Sequence, residues 1–197
     1  MNKLYIAGID EIPRRLTQQD NEELKFTFLC PPGYNGSIDF TIDILRPGVN
    51  LDIAGLYFCS HGENQRFNIN VRHLAGGSTS RQLFKGIVGE GGSCEFDGLI
   101  HVAAGAGKTR ALQENHTLLL SEKGVAETHP QLEIYADDVE CSHGATIGRL
   151  DPDGQFYMRS RGIPEAEARR LQMLSFLSPV LERIPQDKRA IFIDGRF

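Results

Sequence analysis

The sequence predicts an all-β fold followed by a small C-terminal helical segment. Through the first three quarters of the chain, segments in which apolar and polar residues alternate recur at intervals of roughly 13–17 residues. Turn-forming clusters separate them, such as PPGYNG at 31–36 and GEGGS at 89–93. This spacing is typical of a β-sandwich, a barrel or a parallel β-solenoid, and periodicity alone does not choose among them. We expect a β-domain over residues 1–150 and a helical segment over residues 151–197.

The predicted strands follow one another with short turns between them. In RFNINVR, Phe67, Ile69 and Val71 share one parity, so one face of that strand is apolar. The segments are, in order, KFTFLC from Lys25, SIDFTIDILR from Ser37, RFNINVR from Arg66, then QLFKGIV, GLIHVAA, HTLLL and QLEIYA.

Two helices are predicted after Leu150. Asp151 is a suitable N-cap for a short helix with Pro152 in its first turn, and Gly162 ends it. A stronger helix begins at Pro164, and Pro179 should kink or end it. This helix carries two apolar stripes, which are Leu171, Leu174, Leu177, Leu181 and Ile184, and Met173, Phe176 and Val180. The stripes either pack on the β-domain of the same chain or form a face for a dimer or another partner.

Composition excludes several classes of function. The net charge of −5 gives no long-range attraction to nucleic acid or to anionic membranes. No apolar run approaches the roughly 20 residues that a membrane span requires, and the first residues lack the apolar block of a signal peptide. The four cysteines form no CxxC pair, so we expect reduced thiols in a cytoplasmic protein.

The strongest candidate for a site lies in QLEIYADDVECSHGATIGR at residues 131–149. Cys141 and His143 stand two residues apart at the end of a strand-like segment. Side chains at i and i+2 of a strand lie on one face, roughly 6–7 Å apart. A thiol and an imidazole on one face suit iron, zinc or the edge of an iron–sulphur cluster. The alternative is that Cys141 is a small core residue.

Other candidate ligands are weaker. The tetrapeptide CSHG also occurs at 59–62, so Cys59 and His61 have the same spacing. Asp137 and Asp138 are adjacent, and adjacent strand residues face opposite sides, so we expect a turn or a solvated edge there. Three single histidines in or beside strands are expected to be structural or exposed: His101, His116 and His129.

The segment GAGKT at Gly105–Thr109 has the appearance of a phosphate-binding loop. The full motif needs a glycine five residues before the GK pair, and that position is Val102. A strand-like segment follows where the motif needs a helix. We therefore predict a turn between strands and no binding of ATP. A nucleophile paired with a general base is equally absent from the sequence patterns, so a hydrolase is not supported.

From about Arg72 to Ile184 the sequence resembles the SufB/SufD family of iron–sulphur cluster assembly proteins, and it is closer to SufD. The residues that carry the resemblance are SRQLFKGIV, the run from KTRALQENHTLLL through PQLEIYADDVECSHGATIG, and FYMRSRGI. The resemblance implies a right-handed parallel β-helix with a small C-terminal helical segment. It also implies a non-catalytic subunit that works with a SufB-type scaffold and a SufC-type ATPase.

The resemblance also implies roles for particular residues. The histidine of CSHG in SufD proteins lies at the contact with SufB and takes part in building the cluster, which points to His143 with Cys141 beside it. SufB-type chains have a cysteine where this chain has Gly124, which favours a SufD-like role. The chain is expected to be a short form, because it is shorter than full-length SufD.

Two functions of different classes follow from these observations. The first is a SufD-like subunit that handles iron or an iron–sulphur cluster transiently through Cys141 and His143. The second is a homo-oligomeric β-solenoid that buffers metal or binds a partner without assembling clusters. We expect a two-fold homodimer when the chain is alone, because a solenoid must cover its open ends.

Overall fold

The predicted strands are present and they run parallel, which selects the β-solenoid over the sandwich and the barrel. This computed structural model describes residues 1–18 and 23–193, so the last four residues of the predicted helical segment lie outside the described part. The strands are β1 (Asn2–Ile6), β2 (Arg15–Gln18), β3 (Glu23–Cys30), β4 (Gly36–Ile44), β5 (Asn50–Cys59), β6 (Asn64–His73), β7 (Thr79–Val88), β8 (Ser93–Val102), β9 (Thr109–Leu119), β10 (Val125–Ile134) and β11 (Val139–Gly148).

Successive strands alternate between two sheets. Sheet A has the order β1-β3-β5-β7-β9-β11, and sheet B has the order β10-β8-β6-β4-β2. Each pair is parallel and in register, so one turn of the solenoid consists of one strand from each sheet. The sheet orders leave β11 at one edge of sheet A and β10 at one edge of sheet B. These two strands form the last turn.

The space between the sheets is an apolar core rich in aromatic rings. Phe67 lies 5.6 Å from Phe84, and Phe84 lies 4.8 Å from Phe96, measured between ring centroids. Gly86 stands in register with Tyr57, and a Cβ atom at Gly86 would lie 1.9 Å from that ring. A side chain smaller than alanine is therefore required beside the buried tyrosine.

Three helices follow the solenoid: α1 (Pro152–Ser160), α2 (Glu165–Leu181) and α3 (Gln186–Ile193). The first begins as predicted, because the Asp151 side chain accepts hydrogen bonds from the backbone N–H groups of Asp153 and Gly154. The third was not predicted from the sequence. No helix among residues 1–18 and 23–193 is long and apolar enough to cross a membrane.

The long helix α2 packs on the outer face of sheet A of its own chain. Its buried residues join the outward apolar residues of β3, β5, β7 and β9, and Ile184 and Phe192 complete this second core. Of the two interpretations of the apolar stripes, packing on the β-domain of the same chain is therefore the one observed. Pro179 lies inside the last turn of α2, where the Ser178 hydroxyl donates to the carbonyl oxygen of Ser175 at 2.9 Å. That is the carbonyl which the missing N–H of Pro179 would have bonded.

Candidate functional site

Cys141 and His143 lie on β11, the strand at the edge of sheet A. Cys141 stands in register with Ala111 of β9, and His143 stands in register with Gln113. Ala111 and Gln113 are buried between the sheets. Paired residues of a parallel ladder share a face, so Cys141 and His143 lie on the inward face of the last turn.

The last turn is open to solvent because β10 and β11 are paired on one side only. His143 is exposed, and Cys141 is half-buried. Large apolar residues of the same turn are also exposed, at 62% for Tyr135, 48% for Val125 and 43% for Ile147. An unpaired edge with exposed apolar residues is a surface on which another chain can pair.

The Cys141 thiol is held in an apolar setting. It packs with Val139 and Leu132 against a small cluster that includes Ala111. Burial raises the pKa of Cys141, and a hydrogen bond with the backbone of Ala111 lowers it to a smaller extent. The thiol is therefore protonated at neutral pH, and a metal or cluster that binds it must displace the proton.

An open cleft of about 410 Å³ runs beside Cys141 and Ser142 at the start of β11. Two arginines of neighbouring strands line it, and each is paired with a carboxylate. Arg110 lies 3.1 Å from Glu140, and Arg81 lies 3.5 Å from Glu114. The cleft therefore contains charged side chains, but their net charge is close to zero.

This chain supplies two donors at the open end. Among residues 1–18 and 23–193, neither Cys141 nor His143 belongs to a group of three or more possible metal ligands. A thiol and an imidazole match the donors that iron–sulphur clusters accept, but a cluster is commonly held by four. Cys141 and His143 alone therefore do not make a complete cluster site.

The first CSHG copy has a different position in the fold, and it does not form a second site. Cys59 is the last residue of β5 and is fully buried. Burial, with a smaller contribution from the charge of Glu63, raises its pKa to about 12. His61 lies in the following turn with a positive φ of 54°. The two side chains do not share one strand face, so the equal spacing in sequence does not give equal geometry.

The remaining weak candidates also have structural explanations. GAGKT forms the turn between β8 and β9, as predicted. Asp137 and Asp138 are exposed at the bend before β11, as predicted. His101 contacts Glu133 at 3.2 Å, and His116 contacts the hydroxyl of Thr146 at 2.8 Å.

Sequence reasoning missed the polar layer beneath the site. Gln113 is fully buried one strand below His143, and its Nε2 donates to Oε1 of Gln82 at 3.0 Å. Asn115 and Thr117 continue the buried polar face of β9. The available signal was the run of polar residues at one parity in β9, which would ordinarily indicate an outward face.

The fold and the site together define a parallel β-solenoid protein whose open end carries a thiol and an imidazole. The profile for "SUF system FeS cluster assembly, SufBD core domain" matches residues 14–176. The chain therefore belongs to the SufBD core family.

Curated relatives agree with this assignment. The iron-sulfur cluster assembly protein SufD of Escherichia coli K12 is 46% identical over 114 residues, which cover 58% of this chain and 27% of the relative. SufD of Bacillus subtilis is 37% identical over 123 residues, which cover 62% of this chain and 28% of the relative. SufB of Bacillus subtilis is 29% identical over 140 residues, which cover 71% of this chain and 30% of the relative. The matched region thus spans under a third of the length of each.

Proposed function

We propose that this chain acts as a SufD-like, non-catalytic subunit of the SUF iron–sulphur cluster assembly machinery. In this role it pairs with a SufB-type scaffold and works with a SufC-type ATPase in the cytoplasm. The observation that carries the proposal is the open last turn, where Cys141 and His143 lie on the inward face of an edge strand that is paired on one side only. Membership of the SufBD core family supports the same role.

Cys141 and His143 would contribute two ligands to an iron or cluster cargo at the contact with the scaffold. Within the part of the chain that the structure describes, neither residue has a third possible ligand beside it. The remaining ligands would come from the scaffold that pairs with β10 and β11. A partner strand added to such an edge forms a regular backbone ladder, and the side chains at the contact determine which partner is accepted.

The helices offer a separate surface for the ATPase. Leu174 and Phe176 of α2 pack partly against sheet A of their own chain, so they are poor candidates for an external contact. Two aromatic residues of α1 are more exposed, Phe156 at 73% and Tyr157 at 60%. Exposed aromatic residues are enriched in protein interfaces, so we assign the ATPase contact to α1.

Self-association is the second candidate function, and the exposed edge strands favour it. A homodimer would pair the last turns of two copies about a two-fold axis. Light scattering at tens of micromolar tests this alternative. A dimer that dissociates when the SufB-type partner is added supports shared use of one surface, and a monomer contradicts the homodimer.

The central experiment is anaerobic co-purification from cells that express the chain with SufB-type and SufC-type partners. We expect Cys141→Ser and His143→Ala to preserve the fold and to reduce the iron and sulphide content of the complex. The matched control is His61→Ala, which removes the histidine of the other CSHG copy from an exposed turn. Full cluster content in both site variants would contradict the site, and the absence of either partner from the wild-type preparation would contradict the proposed complex.

A further inference from the structure

Three possible metal ligands converge on the outer face of sheet B, away from Cys141 and His143. Glu95 lies on β8, and Glu127 and His129 lie on β10. Each offers one ligand atom, and the three atoms lie within 4.8 Å of one another. The donors are two carboxylates and an imidazole, so the group is more than an acidic patch.

Backbone register produces this convergence. Glu127 stands in register with Glu95 across the parallel pair β10 and β8. His129 is two residues further along β10, so it lies on the same face as Glu127. Its Nε2 lies 3.8 Å from a carboxylate oxygen of Glu127. The ladder of backbone hydrogen bonds therefore holds the three ligands together without a specialised loop.

A second histidine–glutamate pair in the same chain shows what the third ligand adds. His116 and Glu114 on β9 have the same i and i+2 spacing and the same separation of 3.8 Å. The residues in register with Glu114 are Leu83 on β7 and Gly144 on β11. Neither can ligate a metal, so this pair is a matched control.

The third pair is also unsuitable. His101 lies 3.2 Å from Glu133 across the strands β8 and β10. The residue in register with His101 on β6 is Arg72. A guanidinium is not a metal ligand, so this pair has no third donor on the neighbouring strand.

The charges around Glu95 favour a divalent cation. Glu95, Asp97 and Glu127 carry three negative charges, and Arg66 is the cation among them. Arg66 lies 2.8 Å from Asp97 and 3.2 Å from Glu95. Its closer partner is Asp97, so Glu95 can turn to a metal while Arg66 keeps an ion pair. The local charge of about −2 is then neutralised by one divalent ion.

We propose that Glu95, Glu127 and His129 bind a divalent first-row transition metal ion, with water as the remaining ligands. The donor set of two oxygens and one nitrogen suits Zn²⁺, Mn²⁺ or Fe²⁺ and is unsuited to a soft ion such as Cu⁺. A metal at this position joins the edge strand β10 to its neighbour β8. It therefore strengthens the last turn from the outer side of sheet B.

The test is a Zn²⁺ titration of the untagged full chain by isothermal titration calorimetry. The background is the Cys141→Ser, His143→Ala double variant, so the thiol and imidazole of the open end do not contribute heat. We expect one equivalent of Zn²⁺ to bind and to raise the melting temperature. Glu95→Gln and His129→Asn should each weaken binding by about tenfold or more.

The control variants are Glu114→Gln and His116→Asn, which alter the two-ligand pair on β9. They should titrate like the background protein. The proposal is wrong if the background protein binds no Zn²⁺, if Glu95→Gln binds as tightly as the background, or if the control variants lose binding equally. None of these outcomes bears on the role of Cys141 and His143, because those residues are absent from every titrated protein.

Discussion

His73 should make the stability of the fold depend on pH. It is the last residue of β6, stands in register with Ile44 and Val102, and is fully buried. Its Nε2 lies 2.9 Å from the hydroxyl of Ser80. Burial lowers the pKa of His73 from 6.5 to about 4, because the interior disfavours the charged imidazolium.

The size of the effect follows from the two proton affinities. The unfolded chain takes up a proton at this residue near pH 6.5, and the folded chain does so only near pH 4. Stability therefore falls as the pH drops through this window and is independent of His73 above about pH 7. A tenfold difference in proton affinity is worth about 1.36 kcal/mol, so the full loss is about 3 kcal/mol, of which about 2 kcal/mol arises between pH 7 and pH 5.

Urea unfolding of the wild type and of His73→Gln at pH 7, 6 and 5 measures this loss. Glutamine is uncharged across the range and can still bond the hydroxyl of Ser80. Carboxylates affect both proteins alike, so the difference between their unfolding free energies isolates His73. We expect that difference to move by about 2 kcal/mol in favour of the variant from pH 7 to pH 5. A difference that stays constant across the range would refute the assignment of a buried neutral imidazole.

Three further predictions concern reactivity, packing and capping. Iodoacetamide at pH 8 should label Cys141 faster than Cys59, because Cys141 is only half-buried. Cys59 is fully buried, and its pKa of about 12 leaves almost no thiolate. Mass spectrometry that finds equal labelling would contradict this difference. Gly86→Ala should destabilise the protein by about 1–3 kcal/mol through overpacking, as measured by urea unfolding. Gly105→Ala, whose Cβ atom would meet no atom within 4 Å, should remain close to wild type, and equal losses would refute the packing explanation. Asp151→Ala should cost about 1 kcal/mol, and an unchanged urea midpoint would show that the cap contributes nothing.

Alternation in the sequence predicts strands well where one face is apolar. The strand β6 alternates between buried and partly exposed residues, as its sequence indicates. The strand β5 was missed because seven consecutive residues from Ile53 to Cys59 are buried. The core between the two sheets covers one face of β5 and the helix α2 covers the other, so polar residues do not alternate with apolar ones.

The repeating architecture is not visible as a sequence repeat because the turns differ in length. Asn50 pairs with Thr79, 29 residues later, and Thr79 pairs with Arg110, 31 residues later. A fixed period is therefore lost even though each strand stacks in register. The extra residues lie in the turns, outside the sheets, so the strands remain in register.

Part of the candidate site could be predicted from the sequence. The spacing of Cys141 and His143 correctly indicates two side chains on one strand face. The same spacing at Cys59 and His61 fails because the strand ends at Cys59. Where a strand ends depends on its pairing with distant residues, which the local tetrapeptide does not contain.

The one-sided pairing of the last turn has a consequence for local unfolding. In a stacked array each unit is stabilised by its immediate neighbours, so β10 and β11 have half the support of an interior strand. Their amide protons should exchange with solvent faster than those of β5 and β6, through local opening that leaves the rest of the fold intact. Cys141 and His143 thus stand on a segment that opens at a lower free-energy cost than the interior strands. A protein that docks there would slow this exchange and leave the interior strands almost unchanged.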